Sequence, residues 1–206
     1  MSPALHITGD ARADALLSED PLALLLGMLL DQQITMEAAF AGPLKLKERL
    51  GSLDAAAVAD CPPDTFAEIM KATPAVHRFP GSMGVRLQAL CTAVVSDWDG
   101  DASAIWTRGD PDGAEILRRL RALPGFGEQK AKIFLALLGK QCGLSAAGWR
   151  QACAPYGEPG TAMSVADIVD AASLARVRET KKAAKAGSKA ASAGRGAGNS
   201  AETRDS

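Results

Sequence analysis

The stretch "RALPGFGEQKAKIFLALL", Arg121 to Leu138, constrains the fold more than any other part of the chain. A helical pattern over Gly113 to Ala122 places Ile116, Leu117, Leu120 and Leu123 on one face and runs into Leu-Pro-Gly-Phe-Gly. A second pattern begins at Glu128, with Ile133, Phe134 and Leu137 facing back onto the first. Pro124 cannot continue a helix, and Gly125 and Gly127 allow positive φ while placing no side chain between the backbone and a ligand. Their amides, with those opening the helix at Glu128, point outward together. A phosphate oxygen suits such a row of free N–H groups at a helix N-terminus. Phe126 is expected to turn inward and clamp the corner.

The rest of the chain also reads as helix. Leu22 to Gln33, opened by Pro21, is apolar nearly all round and predicts a central buried helix. Thr35 to Leu50 continues in helical period but must break or kink at Gly42-Pro43. Short helices follow at Asp54 to Cys61 and Pro63 to Ala72, the second with Asp64 as its expected N-cap. Thr73 to Gly84 reads as a connection punctuated by Pro and Gly, and Val85 to Trp98 as the next helix. No run alternates long enough for a strand, so the fold class is all-α.

Charge divides the 206 residues unevenly. Arg176 to Ser206 holds eight basic residues against three acids, a net of +5; the remaining 15 basic residues face 21 acids, a net of −6. The Ala, Gly, Ser and Lys of this C-terminal stretch show no apolar period, so it is expected to be a disordered arm able to add phosphate contacts. The domain boundary is therefore expected at 1–175, with the hairpin at 113–139 and the basic tail at 176–206. The longest apolar run, Leu22 to Leu30, is too short to span a bilayer, which needs roughly 20 residues. The N-terminus carries no secretory pattern, and the expected location is the cytoplasm, associated with the bacterial nucleoid. Cys61, Cys91, Cys142 and Cys153 form no Cys-x-x-C or Cys/His cluster, so zinc and iron-sulfur clusters are not expected. Reduced thiols are the expected state, with a Cys142–Cys153 bridge the alternative. His6 and His77 are isolated in the sequence and read as ordinary surface or loop residues.

Helix, Leu-Pro-Gly-Phe-Gly, two further residues, Lys130-Ala131 and an apolar helix together resemble the helix-hairpin-helix of the HhH-GPD DNA glycosylase superfamily, which includes endonuclease III and the alkyladenine glycosylases. "LLLGMLLDQQITMEAA", Leu24 to Ala39, resembles the family's early helix, which ends in a glutamine pair. "GSMGVRLQAL", Gly81 to Leu90, resembles more loosely a segment that in relatives carries Lys-Ala. The resemblance covers about Leu16 to Trp149. It implies two helical lobes with a cleft, a monomer acting on double-stranded DNA in base excision repair, and a phosphate held at the corner. On that basis the DNA-binding residues are Leu123, Gly125, Gly127, Gln129, Lys130, Gln32 and Gln33. The resemblance also implies a monovalent cation at the hairpin carbonyls.

Relatives cleave the N-glycosidic bond with an aspartate beyond the second hairpin helix. The comparable stretch here, "SAAGWRQAC", Ser145 to Cys153, holds no acid. Trp149 stands near that place and is the base-pocket candidate; Glu158 and Asp167 could serve only if a loop folds back. The lysine that bifunctional relatives use as a Schiff-base nucleophile is matched by Gln129, and Lys130 is turned about 100 degrees away, which disfavours lyase chemistry and leaves it a phosphate contact. Arg118, Arg119, Arg121, Lys130, Lys132 and Lys140 gather near the hairpin in sequence. Two functions follow, a monofunctional glycosylase or a non-catalytic binder of damaged duplex; a helical interaction module without a DNA role is a third.

Overall fold

Asp10 and Asp20 start the first two helices by accepting backbone N–H bonds at their N-termini. They open α1 (Ala11–Glu19) and α2 (Pro21–Leu30) in a computed structural model that describes residues 4–197. Every residue of α2 from Leu22 to Leu30 is buried, so it is the central helix. It stops at Leu30, which puts both glutamines of the pair in a turn beyond it. The segment before α1 has no helical period, yet Leu5 and Ile7 are buried, and Ile7 N–H donates to Asp14 at 3.0 Å.

The expected break falls at Ala41, between α3 (Met36–Phe40) and α4 (Gly42–Leu50). A Cβ on Gly42 would stand 2.5 Å from Leu30, so close packing on α2 requires glycine there. Next come α5 (Ala55–Asp60), α6 (Pro63–Lys71) and α7 (Pro80–Trp98). Asp64 lies inside the first turn of α6 and Pro62 takes the N-cap position, which corrects the expected cap. Helix α7 begins five residues earlier than its apolar period suggests, because proline is tolerated in a first turn.

The C-terminal half contains α8 (Ala104–Thr107), α9 (Gly113–Ala122), α10 (Glu128–Gln141), the short α11 (Trp149–Ala152), a 3₁₀ turn at Val165–Asp167 and α12 (Ala171–Ala197). The described residues contain no strand, as expected. The arm read as disordered from Arg176 is described as helix up to Ala197, and the tail beyond lies outside the described residues. Alanine and lysine are strong helix formers, and this outweighs the missing apolar period once Val177 is buried against the core. Among the described residues no helix is long and apolar enough to cross a membrane.

Candidate nucleic-acid interface

At the corner, Leu123 ends α9, donating its N–H to Leu120 and accepting the Phe126 N–H at 3.1 Å. Leu123 and Phe126 are both buried, the latter edge-on to Phe134 with ring centroids 5.9 Å apart. Phe126 thus clamps the hairpin as expected, and Leu123, a candidate DNA contact, is buried beside it. The two glycines differ. Gly125 has φ of +80°, and a Cβ there would stand 2.5 Å from Leu29, so it serves both the turn and the packing of the corner on α2. Gly127 is not in the positive-φ region: it is extended at −73°, and a Cβ would meet nothing within 4 Å. No side chain caps α10, and the first amide bonded back to Gly127 is that of Ala131. Gly127, Glu128 and Gln129 are exposed, so the helix presents its positive end to solvent.

Lys130 is placed otherwise than its sequence position suggests. Its ammonium turns onto the end of α2 and donates to the carbonyls of Met28, Leu29 and Asp31. It satisfies helix-end acceptors that have no partner within α2. Burial holds its pKa down at about 8; Asp31 acts against that shift, and Lys181 and Arg86 add to it. A lowered pKa would favour a nucleophile, but the three carbonyls already engage the amine. Lys130 ties the hairpin to α2, its ammonium turned onto the helix end.

The same helix end carries the glutamine turn. Gln32 is fixed three ways: its Nε2 donates to Leu29 O at 2.8 Å, its Oε1 accepts from Arg86 at 2.7 Å, and its carbonyl is 2.8 Å from His77 Nε2. Phe79 N–H donates to His77 Nδ1 at 3.0 Å, so the ring proton is on Nε2 and is given to Gln32. His77 lies in the loop between α6 and α7, as expected, but is buried there, at 3% exposed. Gln33 is exposed with φ of +59°, a conformation that costs a non-glycine residue roughly 1–2 kcal/mol. Phe79, 41% exposed beneath Arg78, is tied to this turn through His77.

Gln129 bonds Tyr156 Oη at 2.9 Å, a pairing that sequence spacing does not disclose. Trp149 is buried rather than open to a base. A Cβ on Gly139 would meet its ring at 2.5 Å, one on Gly113 would meet its backbone at 2.3 Å, and Arg150 covers it at 4.4 Å. Asp167 does fold back onto α10, but at the wrong end. It accepts from Lys140 at 2.6 Å, from Thr161 at 2.8 Å and from the Met163 and Ser164 amides, and its side chain is 2% exposed.

The basic residues near the hairpin do not make one face. Arg118 and Arg119 pair with Glu115, and Arg119 also stacks on Trp98 and donates to the Ile105 and Arg108 carbonyls. Lys132 and Arg121 pair with Glu128, Lys140 with Asp167, and Lys130 is buried on α2. Positive charge reaches the glutamine turn from elsewhere, through Arg86 and α12. Arg178 of α12 binds Glu37 at 2.6 Å, and Lys181 stands 3.6 Å from Asp31.

Asp31 follows α2 directly and is the residue that sequence reasoning passed over. Its neighbours Lys130 and Lys181 lie far along the chain, so spacing carries no signal of the cluster. All four cysteines are free. Among the described residues no group of three or more His, Cys, Asp or Glu could hold a metal.

A family model described as HhH-GPD superfamily base excision DNA repair protein matches residues 26–193. The match starts inside α2, spans the hairpin and reaches into α12. No curated protein and no solved structure matches the chain.

Proposed function

The chain belongs to the HhH-GPD superfamily of base excision DNA repair proteins, and from that premise we propose that it is a monofunctional DNA glycosylase that hydrolyses the N-glycosidic bond of a flipped, damaged base in double-stranded DNA. One observation carries this reading: the uncapped, exposed start of α10 is latched through Lys130 to the helix end that presents Gln33. The Gly127 to Gln129 amides would grip a phosphate. Gln33 and Phe79, both exposed, would fill the space a base leaves when it is swung out, which costs a few kcal/mol and least for damaged pairs. Gln32, fixed by Arg86 and His77, would hold that turn in place.

A monovalent cation at the corner fits the same reading. The Leu123 and Gly127 carbonyls each accept one internal N–H and keep a second lone pair. The proposed setting is the cytoplasm, where a single chain would act on chromosomal DNA, with no iron-sulfur cluster in the proposal.

A cationic alkylated purine is the most accessible substrate class, because its leaving ability is built in and less catalytic assistance is required. The second reading, a non-catalytic binder, is favoured by the sequestration of Asp167 and Trp149. Incubating the protein with duplexes carrying uracil, hypoxanthine, 8-oxoguanine or 7-methylguanine separates the two: the glycosylase releases free base from at least one. Binding without release from any of them would leave the binder.

A further inference from the structure

Asp31 sits at the C-terminus of α2, where the helix dipole is negative and a carboxylate is electrostatically unfavourable. Helix stability does not explain an acid there. Two lysines converge on the spot, Lys130 on the carbonyls and Lys181 beside the carboxylate, and the side chain remains 15% exposed. Lys130, in the first turn of α10, ties that open helix start to the Asp31 carbonyl, and the strained Gln33 turn follows two residues on. Asp167, by contrast, spends both carboxylate oxygens on internal donors.

We infer that Asp31 is the carboxylate that stabilises the glycosidic transition state, and that Lys181 of α12 partly neutralises it, in competition with the DNA phosphates. This rests on the glycosylase reading above. As the C1′–N bond of a cationic N7-alkylated purine breaks, both electrons leave with the base, which becomes neutral, and positive charge collects on C1′ and the ring oxygen. Asp31 and the negative end of α2 oppose that charge. Water then adds its oxygen to C1′ and gives one proton to Asp31, which passes it to solvent. Products are neutral base, abasic sugar and one proton.

The pairing is loose by geometry. The Lys181–Asp31 separation of 3.6 Å is too long for a good hydrogen bond, and Lys181 is 40% exposed. The neighbouring ion pair, Arg178 with Glu37, also lies at the surface of α12, so phosphates can compete for both cations.

The test uses the full chain and two duplexes that require no knowledge of the natural base. One carries a pyrrolidine ring, cationic at the position of the developing charge, in place of a deoxyribose; the other carries neutral tetrahydrofuran. Binding is followed by fluorescence anisotropy. The wild type should prefer pyrrolidine by about tenfold or more, as expected for a mimic of transition-state charge. Asp31→Asn should remove the preference while holding tetrahydrofuran affinity within about twofold. Lys181→Gln should raise the preference. A wild type without preference, or an Asp31→Asn variant that keeps it, overturns the assignment of Asp31, and a lower preference in Lys181→Gln overturns the role of Lys181. Failure to bind either duplex would instead overturn the DNA-binding reading itself.

Discussion

Helix α10 has an aspartate–lysine pair near each end, and the two are built oppositely. At its C-terminal end, Lys140 and Asp167 meet at 2.6 Å with side chains 15% and 2% exposed, and Thr161 and two amides complete the shell. At its N-terminal end, Lys181 and Asp31 stand 3.6 Å apart, 40% and 15% exposed. The first pair can only hold the loop after α11 and the 3₁₀ turn onto α10. The second leaves a part-exposed carboxylate on the residue whose carbonyl Lys130 of α10 reaches, two positions before the strained Gln33 turn, and the proposal gives that carboxylate its chemistry. Asp167, the displaced acid beyond the hairpin, is thus spent on architecture, and the carboxylate proposed for chemistry comes from the opposite half of the chain.

The largest expected effect tests the sealed end. Asp167→Ala strands a buried ammonium and two amides and should cost about 3–5 kcal/mol in urea unfolding, whereas Asp31→Asn should stay within about 1 kcal/mol of wild type. Equal destabilisation would erase the distinction. Gly139→Ala forces a methyl into the Trp149 ring and should cost about 1–3 kcal/mol. A smaller effect concerns Lys130. Its folded pKa of about 8 lies below the ordinary lysine value, so the unfolded chain binds the extra proton between pH 8 and 10. Stability contributed by this group therefore rises with pH through that window. Subtracting the profile of Lys130→Met from that of wild type should leave a positive slope there; a flat difference would mean the amine is not desolvated. The smallest effect is on salt dependence: deleting Lys181 to Ser206 should reduce the slope of log affinity against log salt by about 0.9 for each phosphate that the shortened chain no longer neutralises.

The hairpin was legible because its signals are local: Pro124, the glycines and the apolar period of α9 and α10 need no distant partner. The roles within it were less so. Gly127 resembles Gly125 in sequence, yet only Gly125 is at positive φ, inside the turn, while Gly127 is the extended N-cap of α10. Lys130 bonds a carbonyl 102 residues earlier, and Asp31 pairs with a lysine in the last described helix, so neither could be found by spacing. Trp149 looks available in sequence because an aromatic stands where an acid is missing; the glycines at 113 and 139 that receive it are distant along the chain. The Ala- and Lys-rich stretch after Arg176 has the composition of a disordered arm and equally that of a helix. Val177, Arg178 and Lys181 decide which, through interactions that composition does not record.

The most direct test of the open end is Gly127→Ala. Its Cβ would touch no protein atom, so the variant should melt at the wild-type temperature, and any change must come from what approaches the corner from outside. Gly125→Ala cannot serve, since it would unsettle the fold through Leu29. If the amides of Gly127 to Gln129 grip a phosphate, affinity of Gly127→Ala for a duplex bearing one tetrahydrofuran site falls about tenfold, the scale of one charge-assisted hydrogen bond. Wild-type affinity in that folded variant would contradict the phosphate site on which the account rests.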